Sequence, residues 1–479
     1  YLPMPPASDS TPSALHDTVD WTKNVEYLNT NMRLLALTCL LLTTLALAAQ
    51  PKQNSPYSRF GIGDLVNQYF AQQAGMAGQS AAFHDPFHLN LLNPASYAHL
   101  KTATFETGLY AKYSHSKSSI ATQDYWTGNL NYLALGFALK SPINQVLDKV
   151  QSPWQFGMGF ALMPYSLVGY NVQTRDTIDQ IGDVVSSFMG NGGTYRMQWS
   201  NGAKYKNTSF GATLGWMFGK TTYENTTQFL DSTSTETSRN FQDNQRQDLG
   251  VNGFVWNLGV QHDFVLKYAE NDKMVPTQLI TIGATGEGQH DLKLNGEQLI
   301  VRSRGRLSNG QYLNGDTLSN NDSIRQTLTL PAIFTFGIQY VSANKFKIGG
   351  RVGLENWSKY RNELRPNERL RNTFSMSAGL EYIPNHLSYN NYGKRIRYRL
   401  GGYYRQDARL VNGQNLDDLG LTFGFGFPLI LPRQQTSFVN TAFEIGKLGT
   451  NSPIEETYFR LTVGFTLNDN TWFYKRRFE

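Results

Sequence analysis

The feature that most constrains this chain is a series of about fourteen short segments in which large apolar residues alternate with small or polar ones. In residues 419–427, for example, every second residue is Leu or Phe, and those between are Gly or Thr. A two-residue period is that of a β-strand, because successive side chains point to opposite faces. One large apolar face and one face of Gly, Thr, Ser, Glu and Arg is typical of a strand between lipid and a polar lumen. The sequence therefore predicts a transmembrane β-barrel.

The overall composition fits this prediction. Mean hydropathy is only −0.42, and 40% of the residues are hydrophobic. A barrel tolerates these low values, because only alternate residues of each strand meet lipid. The 26 Tyr and 28 Phe are enough to form aromatic girdles at the two membrane interfaces. We therefore expect an outer-membrane location, with membrane lipid around the barrel.

The positions of the segments give the barrel a map. About ten residues suffice for a tilted strand to cross the hydrocarbon core, and a single-chain barrel closes with an even number of strands. The predicted fold class is all-β: a closed antiparallel transmembrane barrel of about 14 strands. The strands are predicted at 103–113, 130–139, 154–163, 194–205, 208–219, 252–264, 278–286, 332–341, 345–356, 373–383, 396–406, 418–428, 437–446 and 457–467.

The connections between these strands predict an orientation. If the first strand runs outward, the longer connections fall on the outer side, which is the usual asymmetry. One of them contains Leu292-Lys293-Leu294 and Leu299-Ile300-Val301 and resembles a strand extension. The outer loops are predicted at 114–129, 164–193, 220–251, 287–331, 357–372, 407–417 and 447–456.

The N-terminal region has the parts of an export signal. Met32-Arg33 is a charged start, residues 34–47 are apolar, and Ala46-Leu47-Ala48 is a small-x-small cleavage site. This apolar run is too short to span a bilayer, for which about 20 residues are needed. We therefore predict a signal peptide at 32–49, preceded by a mis-called or disordered leader at 1–31. The barrel is predicted at 103–467 and a basic periplasmic tail at 468–479.

Residues 50–102 do not alternate, and they are too few and too rich in glycine for an independent domain. A barrel of this size encloses a lumen that needs filling. We predict that they form a hatch, or plug, inside it. Within them, Pro94 pushes Asn93 towards extended backbone, and the Asn93 amide is suited to hold a tight turn against the barrel wall.

The sequence contains few residue patterns typical of catalytic, metal-binding or nucleic-acid-binding sites. The one cysteine, Cys39, lies inside the predicted signal peptide, and no G-x-S-x-G motif is present. His84-Asp85-Pro86-Phe87-His88 is predicted to hydrogen-bond to the barrel wall rather than to hold a metal, because Pro86 breaks the helix that would align the two histidines. We predict no enzyme activity, catalytic residue, cofactor or metal. Nucleic-acid binding is not expected, because no clustered basic and aromatic stripe occurs.

Three stretches resemble FadL-type outer-membrane transporters of long-chain fatty acids and aromatic hydrocarbons. Gly75-Met76-Ala77-Gly78 and Asn93-Pro94-Ala95 are similar to the hatch of that family. Residues 154–165 are similar to its third strand, and residues 330–337 with 355–360 are similar to the hairpin of its eighth and ninth strands. The chain thus resembles a divergent member of this superfamily.

The resemblance implies a hatch that gates a hydrophobic small molecule. It assigns gating to Gly75, Gly78, Asn93, Pro94 and Ala95. It also implies a lateral opening at an inward kink of the third strand, where Gly157, Gly159 and Pro164 permit a bend. The alternative is that these glycines are ordinary barrel packing and that Pro164 ends the strand.

Four inward-facing arginines are candidates for binding a ligand carboxylate, since guanidinium binds carboxylate bidentately. They are Arg351, Arg399, Arg405 and Arg460. The alternative is that they pair with acidic residues of the lumen and the plug.

Two functions remain open. The first is passive transport or binding of hydrophobic small molecules, which the hatch motif favours. The second is a structural or secretion-associated barrel that scaffolds a protein partner, from a secretion system or the periplasm. The polar outer loops and the basic Lys475-Arg476-Arg477 favour this second function.

Overall fold

The computed structural model describes residues 53–140, 152–178, 182–230, 241–270, 276–307, 311–343, 345–411, 413–431, 435–450 and 452–469. The predicted leader, the predicted signal peptide and residues 470–479 of the predicted tail lie outside the described residues. Within the described part of the chain, no helix is long and apolar enough to cross a membrane.

Fourteen antiparallel strands form a closed ring, and the last of them pairs with the first. The ring consists of β2–β8, β13, β14 and β16–β20; β8 pairs with β13, and β14 with β16. In chain order the strands are β1 (Asp64–Leu65), β2 (Ala103–Ser118), β3 (Thr122–Ala138), β4 (Trp154–Ile178), β5 (Gly182–Tyr205), β6 (Thr208–Leu230), β7 (Gln242–Tyr268), β8 (Pro276–Glu287), β9 (His290–Ser303), β10 (Gly305–Arg306), β11 (Tyr312–Leu313), β12 (Asp316–Leu330), β13 (Ile333–Ser342), β14 (Phe346–Glu355), β15 (Arg361–Asn362), β16 (Thr373–Tyr382), β17 (Arg397–Val411), β18 (Gln414–Leu431), β19 (Gln435–Leu448) and β20 (Ile454–Asp469). Each predicted strand overlaps one ring strand, so the predicted fold class is confirmed.

The two faces of the ring differ as the alternation predicts. On β18, Leu419 and Leu421 are 62% and 59% exposed on the outside, whereas Thr422 is 1% exposed on the inside. Glu381 and Arg399 are also buried on the inner side. Large apolar side chains are exposed on the outside of strand after strand, which would be costly in water but suits a barrel surrounded by lipid. This is an outer-membrane-type β-barrel.

Several strands continue well beyond the lengths predicted for them. The segments 114–129, 164–193 and 220–251 are mostly paired strands and not loops, so their prediction as outer loops was wrong. The physical reason is that strand pairing rests on backbone hydrogen bonds, which continue across polar sequence once a hairpin is in register. The predicted strand extension within 287–331 is confirmed by β9 and β12.

These extensions form a tall sheet on one side of the ring. We call β9, β12 and the outer halves of β4–β7 the outer sheet. Strand β7 changes partner within it: residues 242–252 pair with β9, and residues 257–268 pair with β8. Part of the inner face of the outer sheet is apolar, where Leu249, Leu292 and Ile324 belong to one buried cluster with Trp357 and Tyr360. An apolar layer therefore separates the outer sheet from the connection after β14.

The outward face gives a test of the membrane register. Phe423→Arg on β18 would put a charge on the lipid side, where an arginine near mid-membrane costs ~2–4 kcal/mol. We expect this variant to fold poorly into lipid vesicles, as measured by heat-modifiable gel mobility and urea titration. Phe423→Leu is the control and should fold like the wild type. Equal folding of both variants would contradict the assignment of this face to lipid.

Candidate functional site

The N-terminal segment, residues 53–102, lies against the inner face of the ring. It has little regular structure: a one-turn helix (Ala71–Ala74), two short 3₁₀ turns (Pro56–Arg59 and Pro94–His99) and β1. Most of its side chains are buried. Its aromatic contacts include Phe70, whose ring meets the edge of Tyr132 of β3 at a centroid distance of 4.5 Å.

The segment approaches the wall closely because the wall presents glycine at the contact level. At twelve inward-facing glycines, each on a different ring strand, an added Cβ would lie within 3.2 Å of an atom of the N-terminal segment. At most of these positions the atom met belongs to the backbone of the segment, so a side chain would force the segment away from the wall. We call these residues the glycine belt: Gly136, Gly157, Gly202, Gly211, Gly259, Gly283, Gly337, Gly349, Gly379, Gly401, Gly424 and Gly464.

The predicted turn at Asn93-Pro94-Ala95 packs on three glycines of the belt. Asn93 has extended backbone, with φ −119° and ψ 102°. Its Oδ1 accepts from the Ala95 N–H at 3.1 Å, and its Nδ2 donates to the carbonyls of Ala81 and Val260 at 2.5 and 3.3 Å. The predicted role of the Asn93 amide in holding this turn against the wall is confirmed. Whether the turn gates a ligand remains a prediction.

Gly75 and Gly78 flank the other tight approach. Gly75 lies against Gly424 of the belt, where a Cβ on either residue would be within 2.9 Å of the other residue's Cα. Gly78 has a φ of +74°, a conformation that L side chains rarely adopt. Its carbonyl accepts from Arg351 Nη1 at 3.0 Å. Both predicted hatch glycines are thus required by backbone geometry.

Charged bridges fix the segment to the wall. Asp85 is buried, and its Oδ2 lies 2.7 Å from Lys347 Nζ and 3.2 Å from Arg397 Nη1. Both cations also lie within 4.0 Å of Glu381. His88 Nδ1 lies 3.4 Å from Glu106. The prediction that this stretch hydrogen-bonds to the wall is confirmed.

A second contact between the segment and the wall contains two histidines and an aspartate, which are residue types that bind metal ions. Ligand-type atoms of His84, His99 and Asp263 lie within 4.8 Å of one another. Lys204 Nζ lies 2.6 Å from the Asp263 carboxylate, and the two histidine rings stack at 3.9 Å. The protein's own ammonium group therefore already neutralises this carboxylate, and the group acts as a clamp between the segment and the wall.

The predicted kink residues have different roles in β4. Gly157 and Gly159 meet Tyr97 of the N-terminal segment, so they allow close approach. The irregularity lies further along, where the register with β5 shifts between Pro164 and Ser166. The strand continues to Ile178, so the alternative that Pro164 ends it was wrong.

Next to this register shift, β4 is hydrogen-bonded to β5 but not to β3. Strand β3 pairs with β4 over just six residues, 133–138 with 157–162. Beyond Leu162, β4 pairs with β5 but not with β3, and residues 122–132 of β3 pair only with β2. We call this unpaired region the β3–β4 gap. A strand edge left open in lipid would carry unsatisfied backbone groups.

The N-terminal segment satisfies part of that edge. Strand β1 pairs with Ser166 and Leu167 of β4. The Asn54 N–H donates to the Gly169 carbonyl at 2.6 Å, and Asn54 Oδ1 accepts from Thr127 Oγ1 of β3 at 2.9 Å. Asn54 thereby bridges the two strands that do not pair with each other.

A cavity of about 290 Å³ lies between the N-terminal segment and the wall. Thr127 and Asn131 of β3, and Tyr165 and Leu167 of β4, line it from the two sides of the β3–β4 gap. Its lining combines apolar and charged groups. The apolar side chains include Phe60, Ile62, Leu65, Val66, Leu92 and Leu370, and the charged ones include Asp64, Lys112, Arg351, Glu355, Arg405, Arg409, Asp418 and Arg460.

The four candidate arginines differ in whether they line the cavity and in whether they have a carboxylate partner. Arg399 does not line this cavity. Three of the four are paired with carboxylates of the wall: Arg399 with Glu381 at 2.7 Å, Arg405 with Asp418 at 2.6 Å and Arg460 with Glu444 at 3.6 Å. Arg351 lines the cavity, and none of the described carboxylates lies within 4 Å of it.

Comparison with known proteins gives both family and fold. A family model described as BamG matches residues 32–479. The chain belongs to the BamG family. Two solved structures, each at a TM-score of 0.52, are similar to this BamG-family barrel: the Pseudomonas putida toluene transporter TodX (16% identity) and a Pseudomonas aeruginosa FadL homologue (12% identity). Each match covers 85% of this chain and 99% of the other, so the FadL-type fold is shared. A search of curated proteins found no match.

Sequence reasoning missed two parts of this BamG-family site. The residues that cover the β3–β4 gap, Asn54 and Asp64, lie in a stretch without periodicity, and no local pattern marks them. The glycine belt was visible only as Gly alternating with aromatic residues. The signal that could have found it is the recurrence of an inward-facing glycine at a similar depth in nearly every strand.

Neighbouring glycines on β17 test the belt. A Cβ at Gly401 would lie 2.7 Å from Ala77 N, whereas a Cβ at Gly402 would meet only the Leu421 side chain at 3.3 Å and the Gly420 carbonyl at 3.7 Å. We expect Gly401→Val to displace the N-terminal segment, giving protease cleavage within residues 53–102 and higher conductance in planar bilayers. Gly402→Val should behave like the wild type. Unchanged cleavage and conductance in Gly401→Val would show that the belt is not needed for packing.

Proposed function

We propose that this BamG-family protein is an outer-membrane barrel that binds a hydrophobic small molecule in its lumen. The molecule passes through without an enzymatic step. The long-chain fatty acid and aromatic hydrocarbon classes are the candidates. The observation that carries the proposal is a cavity, lined by both sides of the β3–β4 gap, that also contains the unpaired Arg351.

Arg351 favours a fatty acid over a hydrocarbon. Arg351 is partly exposed to the cavity and donates only to the Gly78 carbonyl, so a carboxylate ligand would supply the missing charge through a bidentate contact. The acyl chain would lie on the apolar lining formed by Ile62, Val66 and Leu92. Arg399, Arg405 and Arg460 are weaker candidates, because each already has a carboxylate partner.

The β3–β4 gap supports an exit to the side. Among the described residues, the N-terminal segment covers this stretch of β4 through β1 and through hydrogen bonds of Asn54, Ser58, Val66 and Gln68. These separate contacts are weaker than a full strand ladder. Release would need these contacts to open while the fourteen ring strands stay in place.

A second candidate function is a non-transporting barrel that scaffolds a protein partner in a secretion system or the periplasm. The observation that favours it is the sealing of the lumen towards the outer sheet by the apolar cluster of Leu249, Leu292, Ile324, Trp357 and Tyr360. Such a seal opposes entry from that side, whereas a scaffold does not need an entry.

The binding step is tested by identifying any ligand that stays bound to the protein during purification. Wild-type protein, extracted in mild detergent, should carry a fatty acid that mass spectrometry detects. Arg351→Gln removes a charged hydrogen-bond donor worth about 1.5–3 kcal/mol, so palmitate binding should weaken about tenfold or more. Arg325→Gln, an exposed residue of the outer sheet, is the control. If folded wild type neither carries nor binds any fatty acid or hydrocarbon, the scaffold function replaces the transporter.

A reversible crosslink tests the exit. Leu65 and Ser166 are direct cross-strand partners of β1 and β4, at a spacing that suits a disulfide. The pair Leu65→Cys with Ser166→Cys should, when oxidised, stop uptake of labelled palmitate into cells while binding palmitate as the reduced form does, and reduction should restore uptake. The single variant Leu65→Cys is the control. Unimpaired uptake by the oxidised double variant would exclude this exit.

A further inference from the structure

A second cavity lies in the outer sheet, and Phe60 lines both this cavity and the lumen cavity. It has a volume of about 360 Å³, within the range of small-ligand pockets. One side is the inner face of the outer sheet, with Tyr170, Phe188 and Tyr223; the other is formed by Arg59 and Arg365. We call it the outer cleft.

Two guanidinium groups line the outer cleft, and each lies over an aromatic ring. Arg59 Cζ lies 3.8 Å from the ring centroid of Phe188, and Arg365 Cζ lies 4.2 Å from that of Tyr223. Stacking on a ring fixes the plane of a guanidinium and leaves its edge N–H groups free to donate. Among the described residues, neither arginine has a carboxylate within 4 Å; Arg365 Nη1 donates to the Arg59 carbonyl at 3.2 Å.

The outer cleft also contains acceptors that lack donors. Asn225 Oδ1 and Glu368 Oε2 are buried, and neither has a hydrogen-bond partner in the described structure. The other oxygen of Glu368 accepts from the Gly61 N–H at 2.5 Å. Unsatisfied buried polar atoms are rare and call for a partner. A ligand that fits must therefore donate hydrogen bonds as well as accept them.

The local charge favours an anion. Glu224 also lines the outer cleft but is engaged by Arg306 at 2.7 Å and by Arg246 at 3.4 Å. Burial lowers the pKa of Arg365, but Tyr223 and Glu368 outweigh it and raise the pKa above its ordinary value. Arg365 therefore stays charged; because Glu224 is paired, Arg59 and Arg365 stand against Glu368 alone and leave one net positive charge in the cleft.

We propose that the outer cleft binds an acidic sugar, a pyranose carrying a carboxylate or a phosphate. The anionic group would accept from Arg59 and Arg365. Its hydroxyls would donate to Asn225 and Glu368, and Gln245 and Gln247, which also line the cleft, would add amide contacts. The C–H face of the ring would pack on the aromatic side chains. A fatty acid fits poorly, because its chain would leave these acceptors unpaired.

Binding to purified full-length protein in detergent tests this proposal, with isothermal calorimetry as the measurement. The probes are digalacturonate, glucose 6-phosphate, lactose, inorganic phosphate and laurate. We expect saturable binding of digalacturonate or glucose 6-phosphate, and the stronger of the two identifies the anionic group. Lactose and inorganic phosphate should each bind at least tenfold more weakly than the better acidic sugar.

Variants locate the site. Arg59→Gln and Arg365→Gln should each weaken acidic-sugar binding at least tenfold. Arg304→Gln is the matched control, because Arg304 also lies over an aromatic ring, Phe241 at 5.5 Å, but outside the outer cleft; it should leave binding unchanged. The proposal is overturned if neither acidic sugar binds, if inorganic phosphate or laurate binds as tightly, or if all three variants bind alike. Palmitate binding in the lumen is a separate readout, so either proposal can fail alone.

Discussion

The structure depends on the contact between the N-terminal segment and the glycine belt. A barrel of fourteen strands would otherwise enclose an open lumen, and here twelve strands carry an inward-facing glycine where the segment passes. Backbone therefore meets backbone, for instance at Gly211 against Pro94 and at Gly379 against Met76. Contacts of this kind cannot be replaced by larger residues, since even one Cβ would fall inside the van der Waals distance.

Close packing brings charged groups into low-dielectric surroundings, and the structure pairs them across the contact. Asp85 of the segment meets Lys347 and Arg397 of the wall, and Asp263 of the wall meets Lys204 and His84. Removing one partner of a buried pair leaves an uncompensated charge. The bridges therefore bind the segment to particular strands, and the belt sets how close it comes. Arg351 stands out against this background because its positive charge has no such partner.

The two cavities have different chemistry because different elements form them. The lumen cavity lies where the ring is interrupted at the β3–β4 gap, next to the register shift after Pro164. The outer cleft lies where the outer sheet extends beyond the ring and faces the connection after β14. Hydrophobic-ligand binding is the proposal for the first and acidic-sugar binding the proposal for the second. A single barrel thus offers an amphipathic site and a polar one at different depths.

The sequence by itself determined the strand number, the faces of each strand and the turn held by the Asn93 amide, because these rest on local properties: a two-residue period and the restriction that Pro94 places on its neighbour. It misassigned residues 164–193 and 220–251 as loops, since backbone pairing beyond the lipid boundary leaves no apolar period. Only the tertiary structure decided which arginine lacks a partner, because Glu381, Asp418 and Glu444 come from other strands. It alone also brought Asn54 to the β3–β4 gap and Arg59 to Phe188. Those contacts join residues 73 to 129 positions apart, and no local pattern encodes them.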